Sequence, residues 1–115
     1  MATADFVQQL KTLGYEPQEP ALNKVCFIYD VEAGKNRGKK VWLGFENLQD
    51  FPLNCPHGPH FKPIDEGWIN PSQGLHSSSF GSDWRHWSRP FNEWNRTKKT
   101  VKVYLAHIRN LLLQI

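Results

Sequence analysis

The sequence predicts a single α+β domain spanning residues 1–115. Its parts are an N-terminal helix, an antiparallel β-meander, a long Pro/Gly/His loop, a Trp-rich turn and a packed C-terminal helix. Three observations carry this expectation. Residues 100–115 place apolar side chains at helical spacing; Val25 to Leu48 holds two strand-like runs around a glycine-flanked loop; and Pro52 to Ser82 is dense in proline, glycine and serine. Strands and helices segregated along a chain in this way form a sheet with helices packed on one face.

Phe6, Val7, Leu10 and Leu13 recur at helical spacing, so a helix is expected over about Asp5–Leu13, capped by Thr3 or Asp5 and stopped by Gly14. Tyr15 to Pro20 carries two prolines and must be extended. Val25–Val31 is rich in β-branched and aromatic residues and reads as a strand running to about Glu32. Gly34 to Gly38 is a hairpin loop, and Lys40–Leu48 a second strand with Val41, Leu43 and Phe45 on one face and Trp42 on the other. Pro52 to Pro71 contains five prolines and two glycines, which leaves room only for a short edge strand at His60-Phe61-Lys62. Asp65–Ser82 reads as a long loop, and long structureless loops tend to be functional. Val101, Tyr104, Leu105, Ile108, Leu111, Leu112 and Ile115 make the apolar stripe of the last helix, with Thr97 or Thr100 as its cap. Lys98 and Lys99 near its positive end call for an acidic partner.

Composition excludes several classes. At 115 residues the chain is one domain able to bury its own core. A net charge of +3 with scattered basic residues is too weak a footprint for a nucleic-acid binder. No apolar run reaches the length of a membrane span, and the N-terminus has no secretory-signal pattern. Two cysteines, Cys26 and Cys55, form neither a CxxC pair nor a zinc spacing. A reduced, cytoplasmic protein without a cofactor, without nucleic-acid or membrane partners and without a dedicated metal site is expected. The apolar run that closes the last helix leaves room for a partner or a second copy there.

The densest chemistry lies in Asp83–Pro90, which holds Trp84, Arg85, His86, Trp87, Ser88 and Arg89. Trp84 and Trp87, three apart, fit one face of a helical turn. With Trp94, these residues are candidate binding positions, because Trp and Arg dominate interface hot spots. The opposing explanation is a Trp-rich loop that caps a small core. His57, His60, His76 and His86 are candidate catalytic residues, since neutral imidazole serves as nucleophile, base or ligand. Each alternatively is a hydrogen-bonded surface histidine. A zinc site from His57, His60 and His76 is the metal alternative, weak because no helix holds the pair and no carboxylate stands at ligand spacing. Ser77 to Ser79 offer hydroxyl nucleophiles for a Ser/His hydrolase, without a nucleophile-elbow motif or an evident acidic partner.

The order of elements resembles the ubiquitin-conjugating-enzyme (UBC) fold, and the His and Trp-Ser-Arg pattern is similar to a bacterial branch of it. Phe51-Pro52-Leu53-Asn54-Cys55-Pro56 stands where that family has its Tyr-Pro-x-x-Pro-Pro motif, and Trp87-Ser88-Arg89-Pro90 resembles its Trp-Ser-Pro motif with one insertion. Thr100–Leu112 resembles the helix that follows. The resemblance implies a place in a bacterial ubiquitin-like modification pathway, with a ubiquitin-like protein or its activating enzyme as partner. The family's catalytic cysteine is missing: Gly74-Leu75-His76-Ser77 occupies the corresponding place, and no cysteine follows Cys55. Thioester chemistry needs a thiolate, so conventional conjugation is not expected. Three alternatives remain open: a non-catalytic binding module; histidine chemistry led by His76, with Arg85 or Arg89 holding a carboxylate; and use of Cys55 through a rearranged loop.

Overall fold

The structure is a computed structural model that describes residues 2–115. Two helices, α1 (Ala2–Thr12) and α2 (Val101–Leu113), lie on one face of an antiparallel sheet. Its strands are β1 (Gln18–Ala21), β2 (Lys24–Asp30), β3 (Lys40–Phe45), β4 (His60–Pro63), β5 (Leu75–Ser78) and β6 (Gly81–Trp87). Their spatial order is β1-β2-β3-β4-β6-β5, so the first four form a meander and the last two a hairpin added in reverse. The α+β class is therefore observed. No helix among the described residues is long and apolar enough to cross a membrane.

Period-two alternation builds the inner face. Val25, Phe27 and Tyr29 of β2 and Val41, Leu43 and Phe45 of β3 point under the helices and are buried. The α2 stripe meets them, with Tyr104 edge-on to Phe45 at 5.4 Å between ring centroids. Phe6 of α1 packs on Phe45 and Phe51. Burying a side chain of this size stabilises by about 1.5–3 kcal/mol, so this layer dominates the fold's stability. Thr100 is the α2 cap, its Oγ1 accepting from Val103 N at 3.2 Å. No ion pair among the described residues involves Lys98 or Lys99; instead Gln9 Oε1 accepts from Val101 N at 2.8 Å, satisfying one free donor of the helix start.

Gly34 and Asn36 lock the β2–β3 loop. Gly34 has φ +84°, and a Cβ there would lie 2.2 Å from Leu112 O, so only glycine lets the end of α2 approach. Asn36 is fully buried, and its side chain donates to Ile69 O and accepts from Ile69 N, each at 2.8 Å.

Several local expectations are corrected. α1 begins at Ala2 rather than Asp5, which makes Thr3 an internal helix residue whose Oγ1 bonds Asn23 Oδ1 at 2.8 Å. β3 stops at Phe45, because left-handed Asn47 turns the chain into one 3₁₀ turn, Leu48–Asp50. β4 is an interior strand between β3 and β6, since Pro59 and Pro63 bracket its ladder rather than interrupt it. The expected loop over Asp65–Ser82 contains β5 and the start of β6. Asp83–Trp87 is strand, not a helical turn. A spacing of three on a strand sends Trp84 and Trp87 to opposite faces: Trp87 is buried in the core, whereas Trp84 is half-buried on the far side.

Candidate functional site

The face turned away from the helices carries one transverse row of paired residues. Gln18 faces Cys26, Cys26 faces Gly44, Gly44 faces His60, His60 faces His86, and His86 faces His76. Directly opposed residues share a face and lie within side-chain reach. The His60 and His86 rings stack 4.3 Å apart at 14°, and His76 is 6.3 Å from His86.

Gly44 makes room for the rest. A Cβ at this position would lie 2.8 Å from the Phe80 ring and 3.0 Å from Trp84. The β5–β6 turn therefore folds back over the sheet, laying Phe80 against both His60 (4.9 Å) and Trp84 (4.8 Å). Glu46, just past β3, closes the cluster: its Oε1 lies 3.3 Å from His60 Nε2, and its Oε2 accepts from Ser79 Oγ at 2.6 Å. Lys24 Nζ is 3.9 Å from Glu46 Oε2 and sits over the Phe80 ring. On the other side of the imidazole, His60 Nδ1 lies 2.7 Å from Ser78 Oγ, which also accepts from Phe80 N at 3.0 Å.

The network assigns the tautomer. An ionised carboxylate only accepts, so His60 Nε2 carries the hydrogen and Nδ1 accepts from the Ser78 hydroxyl. Burial pushes the His60 pKa down to about 4, helped by His86 and opposed by Glu46. His60 is accordingly neutral at pH 7. For Glu46, burial raises the pKa, but the Ser79 hydrogen bond and nearby His60, Lys24 and His86 outweigh it and hold the group below its ordinary value. A neutral imidazole between a carboxylate and a hydroxyl is placed to accept the hydroxyl's proton, although its low pKa makes it a weaker base than a free histidine.

The structure thus brings His60, His86 and His76 to one face and leaves His57 outside that row. His60 is buried, His86 half-buried with Nε2 unpartnered, and His76 exposed on an edge strand. Among the binding candidates, Trp87 and Trp94 belong to the core, the latter donating from Nε1 to Pro52 O at 3.0 Å. These two rings do not join Trp84 in an exposed patch. Arg85 is exposed and donates to Ser82 O and Trp84 O. Arg89 lies over the Trp87 ring at 5.4 Å and donates to Ser88 O and Gln73 O.

No family model, curated protein or solved structure matches this chain.

His57 lines a separate open cavity of about 580 Å³ with Cys55, Ser88, Phe91 and Trp94. Burial raises the Cys55 thiol there, although backbone N–H groups partly oppose it, and burial likewise raises Cys26. Neither cysteine is a poised thiolate. His107 stacks on Phe91 at 4.1 Å, and burial lowers its pKa. Among the described residues, no group of three His, Cys, Asp or Glu side chains is arranged to hold a metal ion. Sequence reasoning missed Glu46, Phe80 and Gly44. Glu46 carries no motif of its own, and only the strand register brings it to His60.

Proposed function

We propose that the chain is a UBC-like module of a bacterial ubiquitin-like modification pathway. In this reading it binds a ubiquitin-like protein or its activating enzyme without carrying the former as a cysteine thioester. The observation that carries the reading is the order of elements: helix, three antiparallel strands, the Phe51-Pro52 turn, the fourth strand of the meander, an irregular loop, the β5–β6 hairpin running into Trp87-Ser88-Arg89-Pro90, and a closing helix over the sheet. The raised thiol pKa values of Cys55 and Cys26 disfavour thioester formation. Trp84, Arg85, Ser88 and Arg89 are the accessible members of the candidate binding set, whereas Trp87 and Trp94 support them from the core. Calorimetry against the ubiquitin-like protein and activating enzyme from the same gene neighbourhood tests the reading. Binding that weakens at least tenfold in Trp84→Ala is expected; no binding to either protein removes the reading.

A second reading, histidine-based transfer or hydrolysis, is favoured by the His60–His86–His76 row. With ATP and both partners present, a covalent adduct seen by mass spectrometry and lost in His76→Ala would select it. An adduct lost only in Cys55→Ala would place the chemistry in the other cavity.

A further inference from the structure

The outer-face cluster contains a hydrogen-bond chain that neither reading above uses. It runs from Glu46 Oε1 to His60 Nε2 (3.3 Å), then from His60 Nδ1 to Ser78 Oγ (2.7 Å). We propose that Ser78 is a nucleophile for acyl transfer from esters or thioesters, with His60 as its general base and Glu46 orienting His60. This inference shares residues with the histidine-based reading but does not depend on the UBC-like resemblance.

Four features support it. The direction of the chain is fixed, because Glu46 can only accept and Ser78 must therefore donate to Nδ1. Acid, imidazole and hydroxyl in this order are the arrangement by which unrelated folds activate serine, recognised by geometry and role rather than by motif. Ser78 Oγ also accepts one bond, from Phe80 N, which fixes its rotamer and leaves a second lone pair free. Finally, Ser78 lines an open cleft of about 260 Å³ with Ser77, Gly81, Ser82, Trp84 and Arg85. Trp84 supplies that cleft with an apolar wall and Arg85 with a cation. Arg85 stands opposite Phe61, on the other face of β6 from His60, and is held at the rim of the cleft by the Ser82 and Trp84 carbonyls, where its remaining N–H groups can pair an anionic part of the substrate.

In the first half-reaction, Ser78 Oγ bonds to the acyl carbon and its proton passes to His60 Nδ1. The tetrahedral adduct then expels the alkoxide or thiolate, which leaves with that proton. In the second, water attacks the acyl-serine, His60 Nδ1 takes a proton from it, and Ser78 recovers that proton as the carboxylic acid departs. Glu46 keeps its hydrogen bond to Nε2 throughout and takes no proton.

The same bonds would also form if Ser78 only clamped the β5–β6 turn, so the test must read nucleophilicity. The full chain is treated with a fluorophosphonate probe, which phosphonylates activated serines, and with p-nitrophenyl acetate. Peptide mapping by mass spectrometry locates any adduct, and circular dichroism confirms folding. The expected result is stoichiometric labelling at Ser78 and none in Ser78→Ala. In folded His60→Gln, labelling is expected to slow on the order of 10²–10⁴-fold; Glu46→Gln should give a smaller decrease. An unlabelled Ser78 in the folded wild type overturns the proposal without reference to any variant. Labelling that persists at full rate in His60→Gln also overturns it, because the serine is then merely accessible. The assay contains no ubiquitin-like protein or activating enzyme, so its outcome is separate from that of the UBC-like reading.

Discussion

The two faces of the sheet are held by different physics. The inner face is a continuous apolar layer in which Phe27, Phe45, Phe61 and Tyr104 exclude water and few polar atoms intrude. The outer face, one pleat away on the same strands, is organised around a glycine and tied by polar contacts through Glu46, His60, Ser78 and Ser79. Apolar burial is non-directional and forgiving in composition. Buried polar networks require every partner in place, since a half-satisfied network costs more than none. The contrast teaches that stability resides mainly on one face and chemical specificity on the other, with β3, β4 and β6 belonging to both.

The largest expected effect comes from the inner face. Phe27→Ala, at a fully buried position packed on Tyr15 and Phe45, should cost about 3–5 kcal/mol in denaturant unfolding. A loss below about 1.5 kcal/mol would show that the helices do not seal this layer.

The outer face should reveal itself through pH. His60 takes its proton near pH 6.5 when unfolded but only near pH 4 when folded. Acidification between those values therefore protonates the unfolded chain first, and the stability present above pH 6.5 is lost as pH falls through about 4. Glu46, with its pKa below the ordinary value, acts in the same direction at the acid end. Urea midpoints measured across this range should fall in wild type and flatten in His60→Gln. Equal slopes in the two proteins would assign the acid sensitivity to other groups.

Next in size is a double-mutant cycle at the glycine. Gly44→Ala forces the Phe80 ring aside and should destabilise by about 1–2 kcal/mol. In a Phe80→Ala background the same change should cost less, because only the Trp84 ring, 3.0 Å from the new Cβ, still has to give. Additivity in the cycle would mean that the hairpin tip does not rest on Gly44. The smallest effect returns to the helix layer: Thr100→Ala removes the α2 cap and should cost about 1 kcal/mol by thermal unfolding.

The inner face was legible in the sequence because its signals are local. Alternation along Val25–Val31 and Val41–Phe45, and the i, i+3, i+4 stripe of Val101–Leu112, can each be read within a dozen residues. β1 carries no such signal, because all four of its residues are exposed and one is a proline, so no alternation marks it. β5 and β6 were hidden by serines and glycines that read as loop, and by two tryptophans whose spacing imitates a helix. The outer-face cluster was legible only as residue types. His60, His86 and His76 stood out as chemistry-bearing, but their convergence depends on pairing between strands far apart in the chain. Glu46 and Ser78 meet His60 only because β4 enters the sheet between β3 and β6.

Asn36 carries a further consequence. Its amide makes a two-bond bridge to the backbone of Ile69, fastening the middle of a segment with no helix or strand of its own to a buried point. The Ile69 N–H is thus spoken for by a side chain that solvent does not reach. Deuterium should enter the amides on either side of it quickly, whereas this one should fill only when the β2–β3 turn itself opens. A single slow proton in a fast-exchanging stretch would serve as a built-in reporter of how tightly that turn is shut.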